Sequence, residues 1–322
     1  MTDTSVRTAA RDPGDHLAAK RVSLDQYGIV VGPVGHLHEE RARLAGLTWE
    51  HFDATPVGAT VGAELSGVDL TAELPDAVID ELRQALLDYK VLFFRDQPLT
   101  PAQHVAFAHR FGDLEIHPFI PANTGQPELV RFAKSADVGG YENGWHHDVT
   151  WRACPSMGAV LHAVSVPDHS GDTLFADMYA AYDALDEATK AEIDELIAVH
   201  DFTQTFGHQM TKEERKKAQE QYPQVEHPVV CRHPGTGKLH LYVNRPFVSH
   251  IRGLDPEASR DLLDRLCRQA DSPEHQCRFT WSKDAVAFWD NRAVQHYASS
   301  DYWPHRRTME RASIIGTRPS RG

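Results

Sequence analysis

Residues 144–150 read Gly-Trp-His-His-Asp-Val-Thr, and how those seven residues are laid out decides the fold. On a strand, alternate side chains share a face, so His146 and Asp148 would project together and His147 to the other side. An imidazole nitrogen and a carboxylate oxygen aimed at one point supply two of the three ligands of a facial triad. Such a triad favours iron(II) and keeps coordination positions open. In a chain with 20 His and 46 Asp plus Glu, His-x-Asp also arises by chance as a pair of surface groups. A third ligand has to come from elsewhere. The segment FWDNRAVQHY, residues 288–297, offers an apolar strand, a polar turn and then His296, which stands 148 residues beyond Asp148. Two segments so distant meet only if the sheet rolls over on itself, so the metal pair and the fold are one question.

Eleven residues beyond His296 stands Arg307, and Arg311 follows by four, which puts both on one face of a strand. A guanidinium fork suits a carboxylate through two parallel hydrogen bonds. A solvated surface pair is the other reading of that spacing.

Outward from these segments the chain is mostly short apolar runs punctuated by Gly, Pro and Asn: SMGAVLHAVSV, GDTLFADM, HPVVCRH, KLHLYVN, DAVAFWD and RASIIG. Each reads as a short strand. From Val57, VGATVGAELSGVDL alternates small and apolar residues between glycines, as strands joined by tight turns do. Asp76 to Tyr89 carries Val78, Leu82, Leu86 and Leu87 at helical spacing. Pro101 to Phe111 reads as a second helix, with Thr100 as N-cap and Pro101 at the first helical position. Between them, Val91 to Phe94 is short and apolar enough for a buried strand. Two more helices are expected, Ala180 to Ala198 and Pro256 to Gln269, the latter with Leu262, Leu263 and Leu266 along one face. Many short strands, few helices and no βαβ rhythm predict a mainly β fold with helices packed outside. Residues 1–50 hold few hydrophobic pairs beyond a short strand candidate at Gly28-Ile29-Val30-Val31. They are expected to form a loosely attached extension to one domain spanning 51–322.

Composition removes several classes. The 322 residues include 33 Lys plus Arg against 46 Asp plus Glu, a net charge of −13. That balance argues against nucleic acid as a partner, because polyanion binding draws on clustered cations. A hydrophobic content of 41 % excludes disorder throughout. No GxGxxG or GxxxxGK[ST] occurs, which leaves no dinucleotide fingerprint or P-loop. The first fifteen residues hold no apolar h-region, and no apolar run approaches the ~20 residues of a membrane span. A cytoplasmic protein without membrane contact is expected, with Cys154, Cys231, Cys267 and Cys277 as reduced packing residues. GHLHEE (His36, His38, Glu39) reads as a solvated cluster. KEERKK at 212–217 mixes both signs and reads as the exposed face of a helix in a mobile lid over the pocket.

Four blocks in this order, WHHDVTW, GDTLFADMYAAYDAL, FWDNRAVQHYASSDY and PHRRTMERASIIG, together resemble the taurine dioxygenase (TauD/TfdA) family of iron(II)- and 2-oxoglutarate-dependent dioxygenases. The likeness runs from about Val57 to Thr317. It implies a double-stranded β-helix core, the jelly-roll or cupin-like arrangement. It implies that His146, Asp148 and His296 are the iron ligands and catalytic centre. Thr173 and Arg307 match the residues that hold the distal carboxylate of 2-oxoglutarate. Arg311 matches a second arginine of that pocket, one that also helps to hold the anionic group of the primary substrate. His117, in EIHPF, and the backbone N–H of Val149 fall at that same anion, and Phe206 and Phe247 at the aromatic walls. Physical sense agrees, since a dianionic co-substrate needs a cation at its far end and a buried Arg without an anion is costly.

The resemblance implies Fe(II), 2-oxoglutarate and O2 as the chemical partners, with hydroxylation of a C–H bond and release of succinate and CO2. His117 and Arg311 suggest a small anionic organic substrate, an alkyl sulfonate or sulfate ester first. Hydroxylation beside the heteroatom would then yield an aldehyde plus sulfite or sulfate. Ile120 and Glu142 stand where taurine enzymes place a tyrosine and an asparagine, which points away from taurine itself and leaves an aryloxyalkanoate open. The carboxylate of Asp148 disfavours a halogenase, in which a small residue makes room for halide. Two alternatives stay open: a tailoring hydroxylase of an amino acid or natural-product intermediate, and a catalytically silent jelly-roll metal-binding protein. Members of the family commonly self-associate, so a homodimer or homotetramer is expected.

Overall fold

The computed structural model of the protein describes residues 22–24, 29–120, 122–123, 125–140 and 142–322. At its centre lies the apolar strand Val91–Phe94, all four of whose side chains are buried. Val91 and Phe93 face one way, into a cluster with Leu161, Phe175, Phe279 and Trp289. Leu92 and Phe94 face the other, against Leu82, Phe107 and Phe288. A strand with no polar side belongs between two layers, and two layers are what surround it.

Eight strands make the larger sheet in the order Asp53–Pro56, Ala63–Ser66, Val91–Phe94, Val286–Asp290, Ser156–Ser165, Arg307–Ile315, Gln126–Lys134 and Ala122–Asn123. Only Ala63–Ser66 and Val91–Phe94 run parallel, and the helix Asp76–Tyr89 makes the crossover that a parallel pair requires. Gln276–Phe279, Thr173–Asp177 and Val294–Ala298 form a second, antiparallel sheet that packs on the inner face of the first. The helices Asp76–Tyr89 and Pro101–His109 cover the outer face. The fold is therefore mainly β with flanking helices, as the run of short strands predicts.

The local signals hold at most of these elements. Asp76–Tyr89 buries Val78, Ile79, Leu82, Ala85 and Leu86 along one stripe. Pro101–His109 begins with a reciprocal capping box between Thr100 and Gln103. Pro256–Cys267 buries Leu262 and Leu266 and packs on a third, smaller sheet. Lys212–Gln221 buries no residue, in keeping with its mixed charges. No helix among the described residues is long and apolar enough to cross a membrane.

One expected helix is not continuous. Residues 180–198 divide into the helices Met178–Asp183 and Glu187–Ile193 and the start of a strand, Ile197–His200. Asp177 caps the first helix, and Asp186 accepts from Thr189 N–H to cap the second, so a new helix start falls within the apparent period. The third piece is claimed by two antiparallel neighbours, Val225–Pro228 and Val248–Ile251. Of the 1–50 segment, 1–21 and 25–28 lie outside the described residues. The described part from Gly35 onward is attached more firmly than its composition suggests. Leu44 joins the outer core, Arg43 pairs with Asp88, and Glu40 pairs with the fully buried Lys90. Cys154 is exposed, unlike the other three cysteines.

Candidate active site

One backbone bridge and one turn assemble the triad. His146 and His296 exchange backbone hydrogen bonds of 3.1 and 2.9 Å, which sets their rings side by side with centroids 4.2 Å apart. Beyond His147 the chain does not continue as a strand. It turns through residues 148–151, with Val149 at φ +48°, a strained value for a β-branched residue. His146 and Asp148 thus converge because the chain turns between them, and the strand alternation expected from their spacing is not the cause. His147 does point the other way, buried against the Tyr242 ring. Asn291 fixes the turn. Its Oδ1 accepts the Asp148 N–H at 2.7 Å, and its Nδ2 donates to the carbonyls of Asp148 and Ser156 at 3.1 and 3.0 Å.

One ligand-type atom of each of His146, Asp148 and His296 lies within 4.8 Å of the other two. His146 donates Nδ1–H to the Gly144 carbonyl at 2.7 Å, so its lone pair is on Nε2, 3.8 Å from Asp148 Oδ1. His296 Nε2 is 3.9 Å from Asp148 Oδ2, and that oxygen is buried without a hydrogen-bond partner. Two imidazole nitrogens around an orphaned carboxylate oxygen fit a divalent cation of the iron type.

The triad opens on a cavity of about 310 Å³, and the chain brings every nominated residue to its wall: His117, Val149, Thr173, Phe206, Phe247, Arg307 and Arg311. Arg307 and Arg311 share the inner face of Arg307–Ile315, as their spacing predicts. Arg307 donates Nε–H to the Gly171 carbonyl at 3.2 Å, and burial lowers its pKa from the ordinary value. Thr173 Oγ1 accepts from Trp281 Nε1–H at 2.9 Å, which leaves its own hydroxyl hydrogen to donate elsewhere. Arg311 does something its spacing does not reveal: Nη1 donates to Asp148 Oδ1 at 2.8 Å. Burial disfavours the Asp148 charge, but Arg311 and the neighbouring His296, His146 and His117 together outweigh it and hold the carboxyl well below its usual range.

His117 accepts the backbone N–H groups of Phe119 and Ile120 on Nδ1, both at 3.1 Å. Its neutral ring therefore carries the proton on Nε2. Burial, helped by the Arg311 charge, pushes its pKa down to about 3, so it meets a ligand as an uncharged donor. Behind it Phe119, Trp151, Phe202, Phe206 and Tyr222 form an aromatic cluster, with Ala218 and Tyr222 brought in from the end of Lys212–Gln221. Glu142 lies on the cavity wall in an ion pair of 2.9 Å with Lys134, and Lys134 is the cross-strand partner of Arg307. Asn291, Trp281 and Lys134 escape a reading of the sequence. Only Asn291, in the polar turn before His296, leaves a local signal.

The chain matches the Taurine catabolism dioxygenase TauD, TfdA family over residues 53–313. It is 37 % identical over 280 residues to a (S)-phenoxypropionate/alpha-ketoglutarate-dioxygenase of Sphingobium herbicidovorans, covering 82 % of this chain and 95 % of that one. It is 33 % identical over 276 residues to an alpha-ketoglutarate-dependent sulfate ester dioxygenase of Pseudomonas putida, covering 83 % and 91 %. The crystal structure of a taurine dioxygenase from Burkholderia xenovorans superposes with a TM-score of 0.73 at 36 % identity, covering 84 % and 93 %. A match over most of the domain, joined to a two-histidine, one-carboxylate centre beside a buried arginine, settles the class: the chain belongs to the TauD/TfdA family of iron(II)- and 2-oxoglutarate-dependent dioxygenases.

Proposed function

We propose that the enzyme hydroxylates a small organic anion with an apolar body, an alkyl sulfate ester or alkyl sulfonate, at the carbon next to the heteroatom. The observation that carries this reading is the pairing of two donors of different kinds on one wall, the neutral His117 with its proton on Nε2 and the charged Arg311. Together with the Val149 backbone N–H they form a cradle for a tetrahedral anion. Phe206 and Phe247 wall the apolar body, their rings stacked with centroids 6.4 Å apart. Ile120 offers no hydrogen bond, and Glu142 is already matched by Lys134, so an amine such as that of taurine finds no dedicated partner. The two facing sheets support a jelly-roll core for residues 51–322.

His146, Asp148 and His296 would hold the iron. Bound iron, 2-oxoglutarate and oxygen together supply the oxidising power, with succinate and CO2 released and one oxygen atom delivered to the substrate carbon. Asp148 keeps its charge for the metal because Arg311 stabilises the ionised form. Arg307 pairs with the distal carboxylate of 2-oxoglutarate, and the Thr173 hydroxyl, oriented by Trp281, donates to the same group. The aromatic wall excludes water and aims one C–H bond at the open side of the triad. Hydroxylation next to a sulfate ester oxygen yields an unstable adduct that separates into aldehyde and sulfate.

A second reading, an aryloxyalkanoate, draws on the same aromatic wall and on the phenoxypropionate relative. Succinate release is measured with alkyl sulfates, alkyl sulfonates, taurine and aryloxyalkanoates, each with Fe(II), ascorbate and 2-oxoglutarate. The proposal expects the highest kcat/KM with an alkyl sulfate or sulfonate, together with sulfate or sulfite release. Preference for an aryloxyalkanoate selects the second reading, and preference for taurine overturns the assignment of Ile120 and Glu142.

A further inference from the structure

The strands that carry the cavity have another face. Along Ser156–Ser165 and Arg307–Ile315, Leu161, Met309 and Arg311 point into the cavity, and their neighbours point outward, beneath the helix Pro101–His109. Two of those outward residues are His162 and Glu310, direct cross-strand partners. The helix lays His104 over them. One ligand-type atom of each of the three lies within 4.8 Å of the other two, and all three residues are buried.

A backbone carbonyl holds the His104 ring by one nitrogen and fixes which way the other faces. Nε2–H donates to the Val160 carbonyl at 2.9 Å, which leaves Nδ1 with a lone pair. That Nδ1 is buried in a residue with no exposure and has no partner. The contacts of His162 are loose: Nε2 stands 3.5 Å from Asp284 Oδ1, the Gln97 backbone lies nearby, and neither nitrogen makes a short, well-aligned hydrogen bond. A buried acceptor with no partner, close to a loosely held imidazole and a carboxylate, is a cost to the fold, and a cation among the three groups removes it.

We infer that His104, His162 and Glu310 form a second divalent-metal site, suited to zinc and distinct from the His146–Asp148–His296 centre. Two imidazoles and a carboxylate are a donor set that zinc accepts with a fourth ligand, for which Asp284 or a water is at hand. Zinc holds such ligands at about 2.0–2.2 Å, so the three groups would draw together by small rotamer shifts. Glu310 also bonds to Arg131 from the neighbouring strand; the Arg131 side chain is 44 % exposed and can yield toward solvent. The ion would fasten the helix to the two central strands whose opposite face bears Arg311, a structural role in which metal binding adds to folding stability.

The test uses the full chain carrying Asp148→Ala and His296→Ala, so that the first centre cannot contribute. Equilibrium dialysis against zinc, with the metal counted by mass spectrometry, should leave about one zinc per chain, and zinc should raise the melting temperature. Adding His104→Gln or the isosteric Glu310→Gln should weaken that binding by about tenfold or more and abolish the thermal shift. If one variant does not fold, the other gives the same readout. No zinc in the parent chain, or an unchanged zinc count in a folded variant, overturns the inference.

Discussion

The Arg311 guanidinium and the Asp148 carboxylate are one unit, joined by an Nη1–Oδ1 hydrogen bond of 2.8 Å between two buried side chains. A residue placed by family likeness at the substrate is thus also a support of the metal ligand. Breaking a buried pair by removing one partner leaves an uncompensated charge.

Arg311→Ala should therefore reduce metal affinity as well as substrate affinity, the former by about tenfold or more. Titration with Mn(II), followed calorimetrically, measures the first effect, and the KM of the primary substrate measures the second. Unchanged metal affinity would show that the ion pair does not position Asp148. Arg311→Lys keeps the charge without the fork and should fall between.

Thr173→Val should raise the KM for 2-oxoglutarate by about tenfold, the value of one hydrogen bond to a charged group. Its shape is retained, and Trp281 loses only an acceptor. Arg307→Ala should raise that KM further, while the KM for the primary substrate stays within about twofold. A larger effect on the primary substrate would exchange the roles assigned to the two arginines.

Asn291→Ala removes three hydrogen bonds around the turn that presents Asp148. It should lower kcat with little change in the KM for 2-oxoglutarate, and cost about 1–3 kcal/mol of stability through the buried groups left unpaired. Denaturant midpoints and steady-state kinetics read the two effects separately.

Acid should destabilise the fold well before carboxylates titrate. Burial, with the nearby His233, pushes the His240 pKa down to about 3, whereas an unfolded histidine titrates near 6.5. Between those values the unfolded chain binds a proton that the folded chain refuses. The contribution of neutral His240 is complete above about pH 6.5 and is lost as pH falls, by about 1.4 kcal/mol per unit. Urea midpoints at about pH 7 and about pH 5 should differ less in His240→Gln than in the parent. Equal slopes would show that His240 does not contribute to the acid sensitivity.

The readable parts of this protein are those whose cause is local. Pro101–His109 is announced by Thr100 and Pro101, and Asp76–Tyr89 by its apolar stripe. The strand Val91–Phe94 is announced by its lack of any polar side. The break near Leu185 is hidden because Asp186 looks like any helix-surface acid until its cap is formed. At the site, residue types and spacing offer His146, Asp148 and His296 as candidates and the family resemblance joins them into a triad, but neither reveals the left-handed backbone at Val149 or the clamp of Asn291. Those depend on contacts across more than a hundred residues, as does the bond between Arg311 and Asp148. His104 carries no sequence signal at all, since a histidine on an apolar helix face looks like packing until the strands beneath it are known.

The alternation along Arg307–Ile315 also says which changes this enzyme can survive. Substitutions at Phe206, Ile120 or Phe247 alter only the lining, so a lineage can drift from one anion to another at those positions. Loss or gain of one residue inside the strand would slip its register and turn Glu310 inward in place of Arg311, giving the cavity floor an acid where it needs a base. Length between 307 and 311 is thus a harder constraint on descent than the identity of any single wall residue.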